Sequence, residues 1–307
     1  MSDTPILFVI FNRPEHTRQV LSVLQEIKPT KLYVAADGPR PGNDSDLRKC
    51  EMTRNLIDEY VDWPCELKKL FRDHNVGAGL GVSEAITWFL DEEGQGIILE
   101  DDCVPSHSFF DYCATLLDKY KDDNRVMHIA GANHIPSLTR NTENSYFFSM
   151  QGNMWGWATW KRAWDLYDFQ MSSFQQVLDE NILASFIPDA LVRNYVVKKF
   201  KDTMSHRNDA WDYQWDFCRY INSGLSIIPK VNLVKNVGFG ADATHTFSQE
   251  NYFSKLEAEN LEMPLQHPSF TVRNRQIDNM HYKNLFKWIL KRKVLSIANV
   301  KGYSNKG

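Results

Sequence analysis

Residues 96–102 read G-I-I-L-E-D-D, a short apolar run that stops on three consecutive carboxylates, and residues 103–110 continue C-V-P-S-H-S-F-F. A four-residue apolar run of this kind suits a strand buried on both faces, as in a parallel sheet. The chain upstream repeats the same grammar. Pro5 to Ile10 (PILFVI) and Leu32 to Ala36 (LYVAA) are two more apolar runs, and Glu66 to Phe71 is a third, weaker one. Between them, Val20, Val23, Leu24 and Ile27 follow the spacing of an amphipathic helix, as do Met52, Leu56, Ile57 and Tyr60, and Ser83 to Leu90 resumes it. Alternating strands and helices predict an α/β fold, a mostly parallel sheet flanked by helices on both faces. Ligands of such sheets bind at the carboxyl ends of the strands. Asp37 and the Glu100–Asp102 cluster both fall at such ends.

Beyond about residue 140 the pattern loses its regularity and gains tryptophan. Gly152 to Trp164 (GNMWGWATWKRAW) holds four of the nine tryptophans. Helices are expected over 192–201 and 209–221, and a strand over 226–234. We expect a nucleotide-binding half at 1–135, an acceptor-side half of the same domain at 136–265, and a basic amphipathic tail at 266–307.

Composition narrows the class. A chain of 307 residues with 43% hydrophobic and 13% aromatic content can build a packed core. A net charge of −4 gives no basic footprint for nucleic acid. The five cysteines are odd in number, scattered and without a C-x-x-C pair, which suits a reducing compartment. With no signal-peptide pattern and no apolar run of about 18 residues, the expected location is the cytoplasm.

Three adjacent carboxylates at a strand end repel one another and are costly to desolvate. A divalent cation relieves both costs. Mg²⁺ and Mn²⁺ take hard oxygen ligands, often one or two carboxylates with the phosphates of a substrate. Bound there, the ion would neutralise a diphosphate leaving group.

The run from Gly96 to Phe110 resembles the Glu-Asp-Asp-x-x-x-x-Pro-x-Phe-Phe signature of the Golgi N-acetylglucosaminyltransferases that initiate complex N-glycans, and of bacterial glycosyltransferases related to them, with one residue of slack in the spacing. The likeness also takes in Ile10 to Pro14, Ala36-Asp37-Gly38, the loop from Asn75 to Gly81, and Gly156-Trp157. It covers roughly residues 5–245. It implies the GT-A fold, a UDP-sugar donor, Mn²⁺ or Mg²⁺, and transfer with inversion to a glycan acceptor. Carried across, Asp102 would bind the metal, and Glu100 and Asp101 the ribose or a water on the metal. Asp37 would accept from the uracil ring, Arg13 would meet the diphosphate or base edge, and Asn75 would help hold the donor. Gly156 and Trp157 would line the sugar site.

Inversion needs a base opposite the leaving group. The segment Asn208 to Trp215 resembles the Trp-Asp-Asp-Trp stretch carrying that base, although the second Asp falls at Tyr213 here. Asp212 is the favoured base and Asp209 the second. His245, in a glycine-bearing stretch from Asn236, is placed to reach the metal or the diphosphate. A sugar nucleotidyltransferase and a non-catalytic carbohydrate-binding protein are the competing readings. The first lacks its glycine-rich phosphate loop, since the turn after strand one is Asn12-Arg13-Pro14. The second leaves the acids unexplained.

Residues 283–301 carry six Lys or Arg and no acid, among large apolar side chains. This pattern suits an anionic membrane surface and a lipid-linked acceptor.

Overall fold

The computed structural model describes residues 3–205, 207, 209–239 and 252–287. The chain runs β1 (Ile6–Ile10), α1 (Pro14–Ile27), β2 (Lys31–Ala36), α2 (Asp44–Tyr60), β3 (Glu66–Phe71), α3 (Ala78–Glu93), β4 (Gln95–Glu100), β5 (Cys103–Pro105) and α4 (His107–Lys119). It continues with β6 (Val126–Ala130), the short α5 (Pro136–Thr139), β7 (Tyr146–Ser149) and β8 (Trp157–Trp160). Three more short helices follow, α6 (Lys161–Trp164), α7 (Phe174–Asp179) and α8 (Leu183–Phe186). Then come α9 (Ala190–Met204), α10 (Asp212–Ile221), β9 (Leu225–Pro229) and β10 (Val234–Asn236).

Eight strands form one sheet in the order β3-β2-β1-β4-β8-β6-β9-β7. Pairings β2–β3, β1–β2, β1–β4 and β6–β9 are parallel, and β4–β8, β6–β8 and β7–β9 are antiparallel. The fold is therefore α/β with a mostly parallel sheet between helices. The apolar runs sit in the middle because successive side chains feed opposite faces. Ile6, Phe8, Ile10, Leu32, Val34, Ile97 and Leu99 pack with α1, α2 and α4 on one side. Leu7, Tyr33, Ala35 and Ile98 pack with α3, Trp211 and Trp215 on the other. Pro14 opens α1, a position where its missing N–H costs nothing. At the outer edge, β3 carries Lys68 and Lys69 and is nowhere fully buried, as suits a strand with one open side.

The single strand expected over 226–234 is in fact two. The Asn232 side chain breaks it: its amide donates to the Val234 and Glu257 carbonyls, and its oxygen accepts from Asn133 N–H. The turn redirects the chain so that β10 pairs antiparallel with β5, Asn236 opposite Cys103. The helix expected from residue 209 begins at Asp212 instead, with Trp211 as its N-cap residue.

Residues 275–287 are helical. Tyr282 is 7% exposed and hydrogen-bonds Tyr220, and the Phe286 ring lies 5.8 Å from that of Tyr195. Lys283 and Lys287 are exposed. The beginning of the basic tail is thus packed on the domain, and the rest of it lies outside the described residues. Among those residues no helix is long and apolar enough to cross a membrane.

Candidate active site

Strand β4 delivers Glu100 to the carboxyl edge of the sheet, and a tight turn presents Asp101 and Asp102 beside it. Arg13, from the turn between β1 and α1, reaches both. Its Nη1 lies 3.3 Å from Asp101 Oδ1 and 3.1 Å from Asp102 Oδ2. The neighbouring strands β1 and β4 are in register, which is why residues 88 apart in sequence meet.

One guanidinium does not relieve three acids. Burial pushes Asp101 up to about 7, with Arg13 pulling the other way and Asp102 adding to the rise. Glu100 is raised well above the usual range, first by burial, then by Asp102, Asp101 and Asp212. Asp212, at the start of α10, is raised by burial, against the Tyr213 amide and the Lys199 ammonium. Asp212 adds to the rise at Glu100, after Asp102 and Asp101.

Asp102 is held in place on several sides. Asn236 Nδ2 donates to its Oδ1 at 3.1 Å, and the Cys103 thiol donates to the same oxygen at 3.4 Å. Its carbonyl accepts from Val237 N–H at 2.8 Å. A Cβ on Gly238 would lie 2.1 Å from Asp102 Oδ2, so any side chain there would force the carboxylate to move. Burial keeps the Cys103 thiol protonated, so it packs behind the acids.

The chemistry of this donor set suits a hard divalent cation of the type completed by phosphate oxygens. Among the described residues no group of three or more His, Cys, Asp or Glu side chains is placed to hold a metal ion by itself. One or two carboxylates at a strand end match an ion that takes its remaining ligands from a diphosphate and water. His245 lies outside the described residues.

Asp37 and Asp209 do a different job. The loop before α3 presents four successive amides with no local side-chain cap. Asp37 accepts from Val76 N–H and Gly77 N–H at 3.1 Å, and from Gly38 N–H at 2.9 Å. Asp209 accepts from Ala78 N–H at 2.7 Å and Gly79 N–H at 2.8 Å. Two carboxylates from distant parts of the chain thus satisfy the donors that open a helix. The glycines exist for this contact, since a Cβ on Gly77 or Gly79 would fall 2.6 or 2.8 Å from the Asp209 carboxylate. Asn75 Nδ2 ties the same loop to the Gly38 carbonyl at 2.9 Å. The oxygens of Asp37 assigned to a uracil ring by resemblance are engaged by loop amides, and those of Asp209 by the helix start.

Gly156 sits at the edge beside β4 with φ +56, and a Cβ there would lie 2.8 Å from Val234. Its carbonyl accepts from Gly131 N–H at 2.7 Å. Trp157 does not line an open site. It is 0% exposed, stacked 5.4 Å from Trp211 and 5.0 Å from His128. The ring is the floor beneath Trp211, which precedes Asp212. Asn236 and Gly238 are the site residues that reading the sequence missed as partners of Asp102. The β5–β10 pairing that brings them there has no local signal.

No family model matches this chain, and no curated protein sequence does. Among solved structures it is similar in part to HddC from Yersinia pseudotuberculosis complexed with GMP-PN. That match has 9% identity over 53% of this chain and 78% of the other, with a TM-score of 0.34. A UDP-glucose pyrophosphorylase complexed with UDP-glucose matches at 9% identity over 53% and 79%, with a TM-score of 0.30. Mouse xyloside xylosyltransferase 1 in its apo form matches at 14% identity over 71% and 81%, with a TM-score of 0.32. At such TM-scores the likeness carries no function across.

Proposed function

We propose that this chain is a metal-dependent glycosyltransferase of the GT-A type, which moves a sugar from UDP to a glycan hydroxyl with inversion, in the synthesis of bacterial surface glycans. The observation that carries the reading is the run Glu100, Asp101 and Asp102 at the carboxyl end of β4, with Arg13 as the cation bound to the two aspartates. Asp102, with Asp101 beside it, would hold Mn²⁺ or Mg²⁺, and when bound the ion supplies the charge that stabilises a departing diphosphate. Arg13 already lies against both acids and adds positive charge next to the same leaving group.

Asp212 serves as the base. Burial raises its affinity for a proton, which moves a carboxylate toward the range where general bases work. It takes the proton of the attacking hydroxyl while that oxygen bonds to the anomeric carbon. The bond from that carbon to the diphosphate breaks on the opposite face. His245 completes the metal or diphosphate contacts in this reading. The basic tail attaches the protein to the inner face of an anionic membrane, where a lipid-linked acceptor would be presented.

Two variants test the assignment by calorimetry and turnover. Asp102→Asn should lose Mn²⁺-dependent binding of UDP, and an unchanged Kd in the presence of metal overturns the metal site. Asp212→Asn should keep UDP affinity while turnover drops by about 10²–10⁴, the usual contribution of a positioned base. Near-normal turnover removes Asp212 from that role.

A further inference from the structure

The sheet order decides what lies on either side of Asp102. β1 flanks β4 on one side and brings Arg13, and β8 flanks it on the other. β8 runs antiparallel to β4 with Trp157 opposite Ile98, so the residues leading into β8 stand at the edge where β4 ends. Gly156 fixes their approach, since a Cβ there would fall 3.2 Å from Leu99 Cδ2. Trp155, just before it, is thereby set beside the acidic turn. Phe239 meets it from the opposite direction. It follows Gly238, which packs against the Asp102 carboxylate, and its ring stands 5.6 Å from that of Trp155, at 79°.

Trp155 differs from the tryptophans around it. Trp160, Trp164 and Trp215 donate their indole N–H inside the protein, and the N–H of Trp157 is shut off from solvent. Trp155 is only half-buried. Its N–H is not closed off in that way, and among the described residues nothing accepts from it. The rings of His134 at 4.7 Å and Phe253 at 6.2 Å, with Phe239, hold the indole in one orientation. A side chain ordered in advance loses little freedom on binding a ligand. An indole with an open N–H offers apolar surface to C–H groups and a donor to an oxygen. The carboxylates beside it accept from hydroxyls. A ligand with C–H faces and a rim of hydroxyls matches both, and that is a sugar ring.

We propose that Trp155, with Phe239 beside it, is the wall against which the sugar of the donor rests. The proposal rests on the glycosyltransferase reading, in which the diphosphate lies at Asp102. Arg13, bound to Asp102, marks the β1 side as that of the nucleoside. The sugar at the other end of the diphosphate then lies on the β8 side, where Trp155 stands. The contact assigned by resemblance to the buried Trp157 belongs to Trp155 instead.

The probes are UDP, UDP-glucose, UDP-galactose and UDP-N-acetylglucosamine, each with Mn²⁺ and the full-length protein. Calorimetry gives the affinities, and saturation-transfer NMR compares sugar signals with uracil signals in the same molecule. For the UDP-sugar that binds best, Trp155→Leu should weaken binding about tenfold, as expected when roughly 50 Å² of apolar contact is lost. The Kd of UDP should stay as in the wild type, and the sugar signals should fall relative to those of uracil. Trp155→Phe keeps a ring among His134, Phe239 and Phe253 and loses only the N–H, so it decides the matter if the leucine variant does not fold. It should weaken the same UDP-sugar by about fivefold and leave UDP unchanged. UDP and UDP-sugar weakened alike would mean that the ring holds the nucleobase or only supports the loop, and overturns the wall. An unchanged sugar signal in both variants overturns it too, as does a wild type that binds UDP but gives no sugar signal with any of the probes. A wild type that binds no UDP overturns the transferase reading as well.

Discussion

Replacing Asp209 by alanine separates a structural carboxylate from a catalytic one. In the structure both its oxygens accept from the first amides of α3, at 2.7 and 2.8 Å. Losing an N-cap acceptor costs ~1 kcal/mol. Losing the negative charge at a helix start costs a further 0.3–1 kcal/mol, roughly, for an exposed group. The sum is about 2 kcal/mol. Unfolding entropy near 2.1 cal/mol/K per residue, roughly, gives ~0.6 kcal/mol/K for 307 residues, so the melting temperature should fall by about 3 °C. Asp209→Asn keeps one acceptor oxygen and loses the charge, so about half of that shift is expected. Differential scanning calorimetry and UDP-sugar turnover on the same samples give the comparison. If Asp209→Ala melts with the wild type, the cap is worth nothing. If Asp209→Asn melts normally but loses turnover a hundredfold, Asp209 is the base and the role passes from Asp212.

Three further outcomes follow from the geometry. Gly238→Ala drives a methyl group against Asp102 Oδ2 and should abolish Mn²⁺-dependent UDP binding, read by calorimetry, while the melting temperature changes little. His134 and His281, whose rings lie 6.1 Å apart, are lowered by burial to about 3 and about 4, His134 also by His281, while Asp278 partly offsets the drop at His281. The folded state then binds fewer protons than the unfolded one, so stability is complete above about pH 6.5 and declines as pH falls toward those values. At pH 5 the loss is about 2 kcal/mol per ring, seen as a falling melting temperature, and His134→Phe should remove about half of it. Truncation after Lys287 spares the packed Tyr282 and Phe286 and should release the protein from anionic vesicles. Wild-type protein that stays in the supernatant at low salt ends the membrane assignment.

The strands and first helices were legible because burial on two faces leaves continuous apolar runs, and burial on one leaves helical spacing. The acid cluster was legible because three carboxylates after Gly96 to Leu99 have no cheap local explanation. What escaped was everything set by contact across the chain. Asp209 caps a helix that starts at Ala78, 131 residues earlier, whereas the sequence signature of a cap lies within one helical turn. The glycines at 77 and 79 were visible, but sequence does not say whether they make room for a ligand or for a carboxylate. Trp157 illustrates the same ambiguity, since an indole that packs against Trp211 and one that stacks on a sugar look alike as letters. The Asn232 turn was hidden because an apolar run on either side reads as one strand until a side chain is seen to hold the break.

The strand order has a consequence for how the molecule is made. β8 lies between β4 and β6, and β6 finds its other neighbour in β9, so both partners of β6 lie C-terminal to it in the chain. A nascent chain that has reached residue 135 therefore holds β6 with no neighbour and β4 with one side open. An apolar strand edge left unpaired is a template for association with another chain. Released as a fragment, residues 1–135 should aggregate rather than fold. During synthesis the open edge has to wait for Trp157 to Trp160 before it closes.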